Sequence, residues 1–264
     1  MAVTTLGVLA ADLRALGVPA GAVVLAHCSL SQVRPDDRSP ATLLAALRAV
    51  LGDAGTVVVP AGTFGNSITS RAFQAATAGM TPAEVAAAEA AIPPFDPQHS
   101  PSEGMGVFAE CVRQRDGARR SHHPQASFAA LGPHAATLTA VHDLDCQLGE
   151  RSPLGALYAA DALVLLLGVG WSVCTAFHLA EYRLSRPAQR QAYRCYVRDD
   201  DGRRTARNFS APRLDDGDFA LIGAALERTG AVRVGRVGSA DCRLVRLRTA
   251  VEVARGWMDD HRRP

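Results

Sequence analysis

The apolar positions of the chain change period several times. Residues 4 to 17 place Leu6, Leu9, Leu13 and Leu16 near helical spacing, with Gly17 as the stop. Ala22 to His27 is then apolar without alternation, as in a strand buried on both faces of a parallel sheet. Ser39-Pro40 opens a second helix with Leu43, Leu44, Leu47, Val50 and Leu51 on its inner face, and Thr56 to Pro60 reads as a second buried strand. Strand, helix, strand in this order predicts a parallel pair joined by a right-handed crossover. A third apolar run, Val164 to Leu167, is followed by Gly168 and Gly170, which permit a sharp turn. A helix carrying Phe177, His178, Glu181 and Tyr182 comes next, with Ser172 or Thr175 placed to cap it.

Between the second and third strands the pattern loosens. Residues 61 to 105 form an excursion: a loop around Thr63-Phe64-Gly65-Asn66, an alanine-rich helix from Met80 to Ile92, and a proline-rich stretch from Pro93 to Pro101. An insertion of this length is a binding loop, a lid or a tolerated surface feature. Helices are predicted over 104–114, 133–142 and 153–158. After Tyr182 the class of pattern changes. Tyr193 to Arg198 alternates, Asp199 to Gly202 turns, and Arg203 to Phe209 returns as a hairpin partner. Asp215, Asp216 and Asp218 precede a helix over 219–228, where acidic side chains suit the N-terminal dipole. Two extended stretches and a helix over 249–260 complete the chain. The expected fold is α/β: a three-layer domain with a mainly parallel sheet over residues 1–184, excursion included, and a smaller C-terminal α+β part over 185–264 packed with it as one unit.

Composition narrows the chemistry. A formal net charge of +2 gives no reason to expect nucleic acid or a membrane surface as partner. All 28 basic residues are arginine, so no P-loop lysine exists, and neither Gly-x-Gly-x-x-Gly nor Gly-x-Ser-x-Gly follows a strand. The six cysteines make no Cys-x-x-Cys pair, which favours reduced thiols and a cytoplasmic location; the N-terminus has no basic signal-peptide region. Most chemistry-bearing residues fall at the carboxyl ends of predicted strands or near the excursion: Ser29, Ser31, His123, Ser127, His178 and Glu181. His178 and Glu181 are three apart and share a helical face. The plain alternative is a tight glycine turn beside a structural histidine. Cys174, four residues before His178, leaves open a Cys/His nucleophile. A metal held by His178, Glu181 and His123 is conceivable but lacks the second histidine of the usual zinc helix, and no metal is expected.

Six stretches occur in a recognisable order over residues 20 to 184: Ala26-His27-Cys28-Ser29-Leu30-Ser31, Gly55 to Pro60, Arg120 to Gly132, Ser152-Pro153-Leu154-Gly155, Leu165 to Gly170, and Thr175 to Glu181. In this combination they resemble the aminoglycoside 3-N-acetyltransferase family, coenzyme A-dependent antibiotic acetyltransferases distinct from the GNAT enzymes. The resemblance implies transfer of acetyl from acetyl-CoA to the 3-amino group of a 2-deoxystreptamine aminoglycoside, conferring resistance. It implies His178 as the catalytic histidine, with Glu181 orienting it or binding a substrate ammonium. Asp215, or else Asp216, is expected as the carboxylate supplied by the C-terminal part. Ser29, Ser31, Ser127, Phe128 and Thr175 are expected around coenzyme A. The acceptor is polycationic, so an acidic cleft is expected, drawing on Asp96, Glu103 and Asp216, with His123 nearby. Cys28 departs from the family's usual serine and Phe177 from its usual leucine. A monomer or homodimer is expected, without nucleic-acid or membrane partners. Two other readings stand beside it: a same-fold transferase acting on another amine, and a non-catalytic aminoglycoside or acyl-CoA binding protein.

Overall fold

The computed structural model describes residues 4–262. Its strands are β1 (Val23–Cys28), β2 (Thr56–Pro60), β3 (Arg119–Arg120), β4 (Phe128–Leu131), β5 (Leu163–Leu167), β6 (Arg190–Arg198), β7 (Arg204–Pro212), β8 (Arg233–Val237) and β9 (Ala240–Arg246). The helices are α1 (Leu6–Leu16), α2 (Leu30–Val33), α3 (Pro40–Leu51), α4 (Arg71–Ala76), α5 (Pro82–Ala90), α6 (Gly106–Arg113), α7 (Ala135–Thr139), α8 (Pro153–Ala159), α9 (Phe177–Glu181), α10 (Phe219–Arg228) and α11 (Leu247–His261). Among the described residues no helix is long and apolar enough to cross a membrane.

The three uninterrupted apolar runs are the centre of a seven-stranded sheet ordered β3-β4-β2-β1-β5-β9-β8. β1 pairs in parallel with β2 and with β5. Both faces of these strands are covered, which is why their sequences do not alternate. Val24, Ala26, Leu165 and Leu167 face a core shared with α1, α3 and α6, while Leu25, Val164 and Leu166 face a second core shared with α7 to α11. The expected three-layer α/β arrangement is therefore present.

The sheet is more mixed than the sequence pattern predicts. Parallel pairing is confined to the three central strands, and both flanks are antiparallel: β4 on β2, and β9 on β5. The C-terminal segment does not form a layer of its own. β9 aligns Leu244 with Leu165 and β8 extends the edge, because Cys242, Leu244 and Val245 are buried on the two faces of the common sheet. Only the β6–β7 hairpin stands apart, as a two-stranded ribbon. It holds the excursion. Buried Asn66 bonds both the N–H and the carbonyl of Tyr196 and also reaches Pro93 O, so loop, proline stretch and ribbon share one side chain. Within the excursion, Thr81 and Glu84 cap α5 reciprocally.

α10 approaches the turn after β5 so closely that a Cβ on Gly223 would lie 1.9 Å from Trp171 Cγ. Gly223→Ala is expected to destabilise the protein by about 1–3 kcal/mol through overpacking. Urea denaturation reads this directly, and an unchanged midpoint would contradict the packing described.

Candidate active site

The carboxyl ends of β1 and β5 lie side by side, with Ser29 N–H donating to Leu167 O at 2.9 Å. Gly168 follows in the left-handed region at φ 67°, where a side chain would also press on Gln32. The chain then makes a single 3-10 turn over Trp171–Val173 before α9 begins. This turn displaces the expected caps: Ala176 occupies the N-cap of α9 and no side chain caps it. The helix is instead held by packing. Phe177 lies between Trp171 and Phe219, with ring centroids 5.7 and 5.3 Å away.

α9 carries His178 and Glu181 on one face, as their spacing predicts. His178 Nδ1 lies 2.5 Å from Glu181 Oε2, and the carboxylate is 1% exposed. A carboxylate only accepts, so the proton of this bond belongs to Nδ1 and the lone pair of the ring to Nε2. The ring packs on Phe219 at 4.7 Å. It lines a cavity of about 440 Å³ together with Phe64, Ser67, Thr69, Ser70, Gln125, Gln147, Tyr193 and Asp216. A second cavity of about 430 Å³ opens at the end of β1, lined by His27, Ser29, Ser31, Met105 and Val169. Pro60, Met105, Val173 and Thr175 line both, so the two are adjoining chambers of one cleft.

The structure sorts the residues expected from sequence. Ser29 and Ser31 line the β1 chamber with their hydroxyls 3.1 Å apart, and Thr175 stands in the shared wall. Phe128 and Ser127 line the His178 chamber, but Ser127 donates its hydroxyl proton to Ala61 O and accepts from Arg120 Nε. Asp216 is exposed in the His178 chamber. Asp215 is not the carboxylate beside His178. Glu181 takes that place, and Asp215 contributes its main-chain N–H to Glu181 Oε1 at 2.9 Å while its own carboxylate accepts from Gly217. Asp96 and Glu103 do not line the chamber. Asp96 closes its own turn onto Gln98 and His99 and faces a separate groove with Arg113 and Arg119. Glu103 is committed to Gly65 N–H at 2.6 Å, pinning the excursion loop. The expected acidic lining thus reduces to Asp216, because the other carboxylates answer backbone donors closer to hand.

His123 is fully buried behind the chamber rather than in it. Its Nδ1 accepts from the N–H groups of Gln125 and Ala126, and its Nε2 donates to Leu144 O. It therefore holds Gln125, whose side chain reaches Asn66 O and Arg194 O. Among the described residues no three His, Cys, Asp or Glu side chains group as a metal site requires, so His123 does not join His178 and Glu181 around an ion. Cys174 is buried and desolvation pushes its thiol up to about 12, which removes it as a nucleophile. Two arginines take structural positions that local sequence does not reveal. Arg120 is buried and donates to Ala61 O, Ser100 O, Thr63 and Ser127, joining β2's exit to the proline stretch. Arg262 donates to Glu181. Arg120 stands in a stretch already of interest; nothing local marks Arg262.

Fold and site together define an α/β enzyme with a two-chambered cleft and a carboxylate-held histidine at the ends of its central strands. The aminoglycoside 3-N-acetyltransferase family profile matches residues 25–259. An SPbeta prophage-derived aminoglycoside N(3')-acetyltransferase-like protein, YokD of Bacillus subtilis (strain 168), is 34% identical over 255 residues, covering 93% of this chain and 89% of the relative. Aminoglycoside N(3)-acetyltransferase VII of Streptomyces paromomycinus is 35% identical over 271 residues, covering 96% and 90%. The crystal structure of YokD superposes with a TM-score of 0.92 at 31% identity, over 100% of this chain and 97% of that one. AAC-IIIb in its binary complex with CoASH gives 0.84 at 31% identity over 100% of both chains. AAC-VIa bound to sisomicin gives 0.83 at 30% identity over 98% of both. The chain belongs to the aminoglycoside 3-N-acetyltransferase family and is an acyltransferase.

The buried histidines make the site's supports sensitive to acid. Desolvation lowers His27 and His123 from 6.5 to about 4. Above about pH 6.5 both are neutral folded or unfolded; below it the unfolded chain binds protons that the native state cannot. Stability is therefore complete above the unfolded value and falls as the pH drops from about 6.5 toward 4, by up to ~1.4 kcal/mol per pH unit for each histidine. Urea midpoints taken between about pH 7 and pH 5 should decline steadily, and a flat series would show that these imidazoles are not held neutral.

Proposed function

We propose that the enzyme transfers the acetyl group of acetyl-CoA to the 3-amino group of a 2-deoxystreptamine aminoglycoside, with His178 as general base, and so confers resistance. The observation that carries the reading is the His178–Glu181 pair set in one chamber of a cleft whose other chamber lies at the end of β1. The likeness to a CoASH-bound and a sisomicin-bound structure supports a donor and an acceptor of these kinds.

The residues of the β1 chamber suit coenzyme A. His27 Nε2 is buried there without a hydrogen-bond partner among the described residues, Ser29 and Ser31 offer hydroxyls, and Met105, Val169 and Val173 offer apolar surface to a pantetheine arm. Acetyl-CoA supplies an acyl group activated as a thioester. The chain's part is to make the amine a nucleophile and to place it. An alkylammonium has no lone pair, so it must lose a proton before attack. Nε2 of His178 takes that proton, and Glu181 on Nδ1 fixes the tautomer and stabilises the imidazolium. As the C–N bond forms and the thioester C–S bond breaks, the imidazolium passes that proton to the departing thiolate, and the second proton shed by the acylated nitrogen goes to solvent. Thr175, common to both chambers, stands where a hydroxyl donor can steady the developing oxyanion. Asp216 is the carboxylate of the His178 chamber that can pair with a further ammonium of the acceptor.

One feature favours a second reading, acetylation of a less highly charged amine. Apart from Asp216 the His178 chamber is lined by neutral groups, many of them apolar: Phe64, Met105, Phe128, Leu148, Val173 and Phe219. Thiol release from acetyl-CoA with a panel of deoxystreptamine aminoglycosides and simpler amines separates the two. Release with aminoglycosides is expected. Release with simpler amines alone moves the assignment to the second reading, and tight stoichiometric binding without release would make the protein a binder. His178→Ala is expected to lower kcat by about 10²–10⁴-fold while acetyl-CoA still binds; near-normal turnover would remove the assigned base. Asp216→Asn should raise the acceptor KM about tenfold, the loss of one charge-assisted hydrogen bond, and an unchanged KM would remove its pairing role.

A further inference from the structure

Glu181 has two oxygens, and only Oε2 meets His178. Oε1 accepts from Arg262 Nη1 at 2.5 Å as well as from the Asp215 N–H. The same guanidinium donates from all three of its nitrogens. Nε and Nη2 form a fork on the two oxygens of Asp218 at 2.7 and 2.6 Å, and Nη2 also reaches Asp215 O at 2.6 Å. Arg262 follows α11 directly, so one side chain ties the segment after α11 to α9, to the loop before α10 and to the start of α10.

We propose that Arg262 is a positioning residue for acetyl transfer: it holds Glu181 by its second oxygen, so that the first keeps His178 in the Nδ1–H tautomer with Nε2 free for the acceptor amine. The proposal rests on the reading of His178 as the base.

Three features make this more than a helix-end contact. First, Glu181 is 1% exposed, and a carboxylate withdrawn from water stays charged only where donors answer both oxygens. Arg262 is the sole cation hydrogen-bonded to it among the described residues. Charged or titratable groups near the pair among the described residues include Asp215, Asp216 and Asp218 around the start of α10, Tyr193 on β6 with Arg213 beside it, and Tyr182 next to Glu181 in sequence. Second, the guanidinium forks onto Asp218 through Nε and Nη2 while Nη1 reaches Glu181. Burial works against the charge of Arg262, yet its hydrogen bonds to Asp218 and Glu181 hold it above its ordinary value. A lysine carries the charge but cannot make the fork to Asp218 and reach Glu181 together. Third, Asp215 and Asp218, which Arg262 clamps, bracket Asp216, and Phe219 packs on the His178 ring. The same arginine thus sets the base and the loop that offers the acceptor its carboxylate.

The test uses the full chain with Arg262→Met, Arg262→Lys and Arg262→Ala. Three readouts are taken: thermal midpoint, steady-state kinetics, and the Nδ1–H resonance of His178 in ¹⁵N-histidine-labelled protein without substrates. For Arg262→Met, kcat is expected to fall about 10- to 100-fold, typical of an outer partner that orients an active group. The acetyl-CoA KM should stay put and the low-field Nδ1–H signal should broaden or vanish. Arg262→Lys should recover part of kcat, and millimolar guanidinium should restore part of the activity of Arg262→Ala. Parental kcat with an unaltered Nδ1–H signal overturns the proposal, as does a lowered melting point with kcat and signal both intact. If Arg262→Met does not fold, Arg262→Lys decides: reduced kcat at parental melting point supports the clamp, and parental kcat refutes it. The resonance separates this proposal from the reading it rests on. A signal that responds to Arg262 in a protein whose His178→Ala variant still turns over leaves the clamp standing and removes the base; an indifferent signal with His178 essential does the reverse.

Discussion

A carboxylate removed from water must be met by donors on both oxygens, and in this protein that requirement falls on Glu181. Its partners come from three places in the chain: His178 three residues earlier, the main chain of Asp215, and Arg262. α9 has only five residues, too short to persist through its own hydrogen bonds. It stays a helix because Phe177 is clamped between two aromatic rings on one side and Glu181 is answered on the other. The orientation of His178 is therefore a property of the assembled domain. Leaving one donor out would strand a buried charge, which is more damaging than never having placed it there.

The attachment of the excursion obeys the same rule with the sign reversed. Arg120 is buried and its donors are met by main-chain carbonyls and hydroxyls from β2's exit and the proline stretch, with Ser127 between them. Desolvation lowers it to about 10, still far above neutrality, so it remains a cation. The excursion is anchored by this charge and by the amide of Asn66 more than by an apolar core of its own, since α5 has no buried residue. Behind the chamber, His123 holds its neighbours through both ring nitrogens. Polar groups that look like candidate ligands are thus consumed in building the cleft, and what the His178 chamber presents is mainly neutral.

That outcome bears on specificity. The polar lining of the His178 chamber consists of Asp216, hydroxyls such as those of Ser67 and Thr69, and the amides of Gln125 and Gln147. Neutral acceptors orient an ammonium without the desolvation cost of burying more carboxylates. The excursion supplies one side of this lining and the loop before α10 the other.

Much of this was present in local sequence. The unbroken apolar runs of β1, β2 and β5 identified a parallel centre, because burial on both faces leaves no room for alternation. The three-residue spacing of His178 and Glu181 placed them together, since helical geometry alone decides that contact. The ordered stretches from Ala26 to Glu181 identified the family. Tertiary structure decided the rest. Whether Asp215 or Glu181 met His178, whether Asp96, Glu103 and His123 faced the cleft, and where β8 and β9 joined the sheet all depend on which donors and edges the folded chain brings within reach. Asp96 is taken up by N–H groups of its own turn and Glu103 by the N–H of Gly65 in the excursion loop. Arg262 meets Glu181 across 81 residues of sequence. Periodicity records which side of an element is buried; it carries no record of which distant charge will be buried against it.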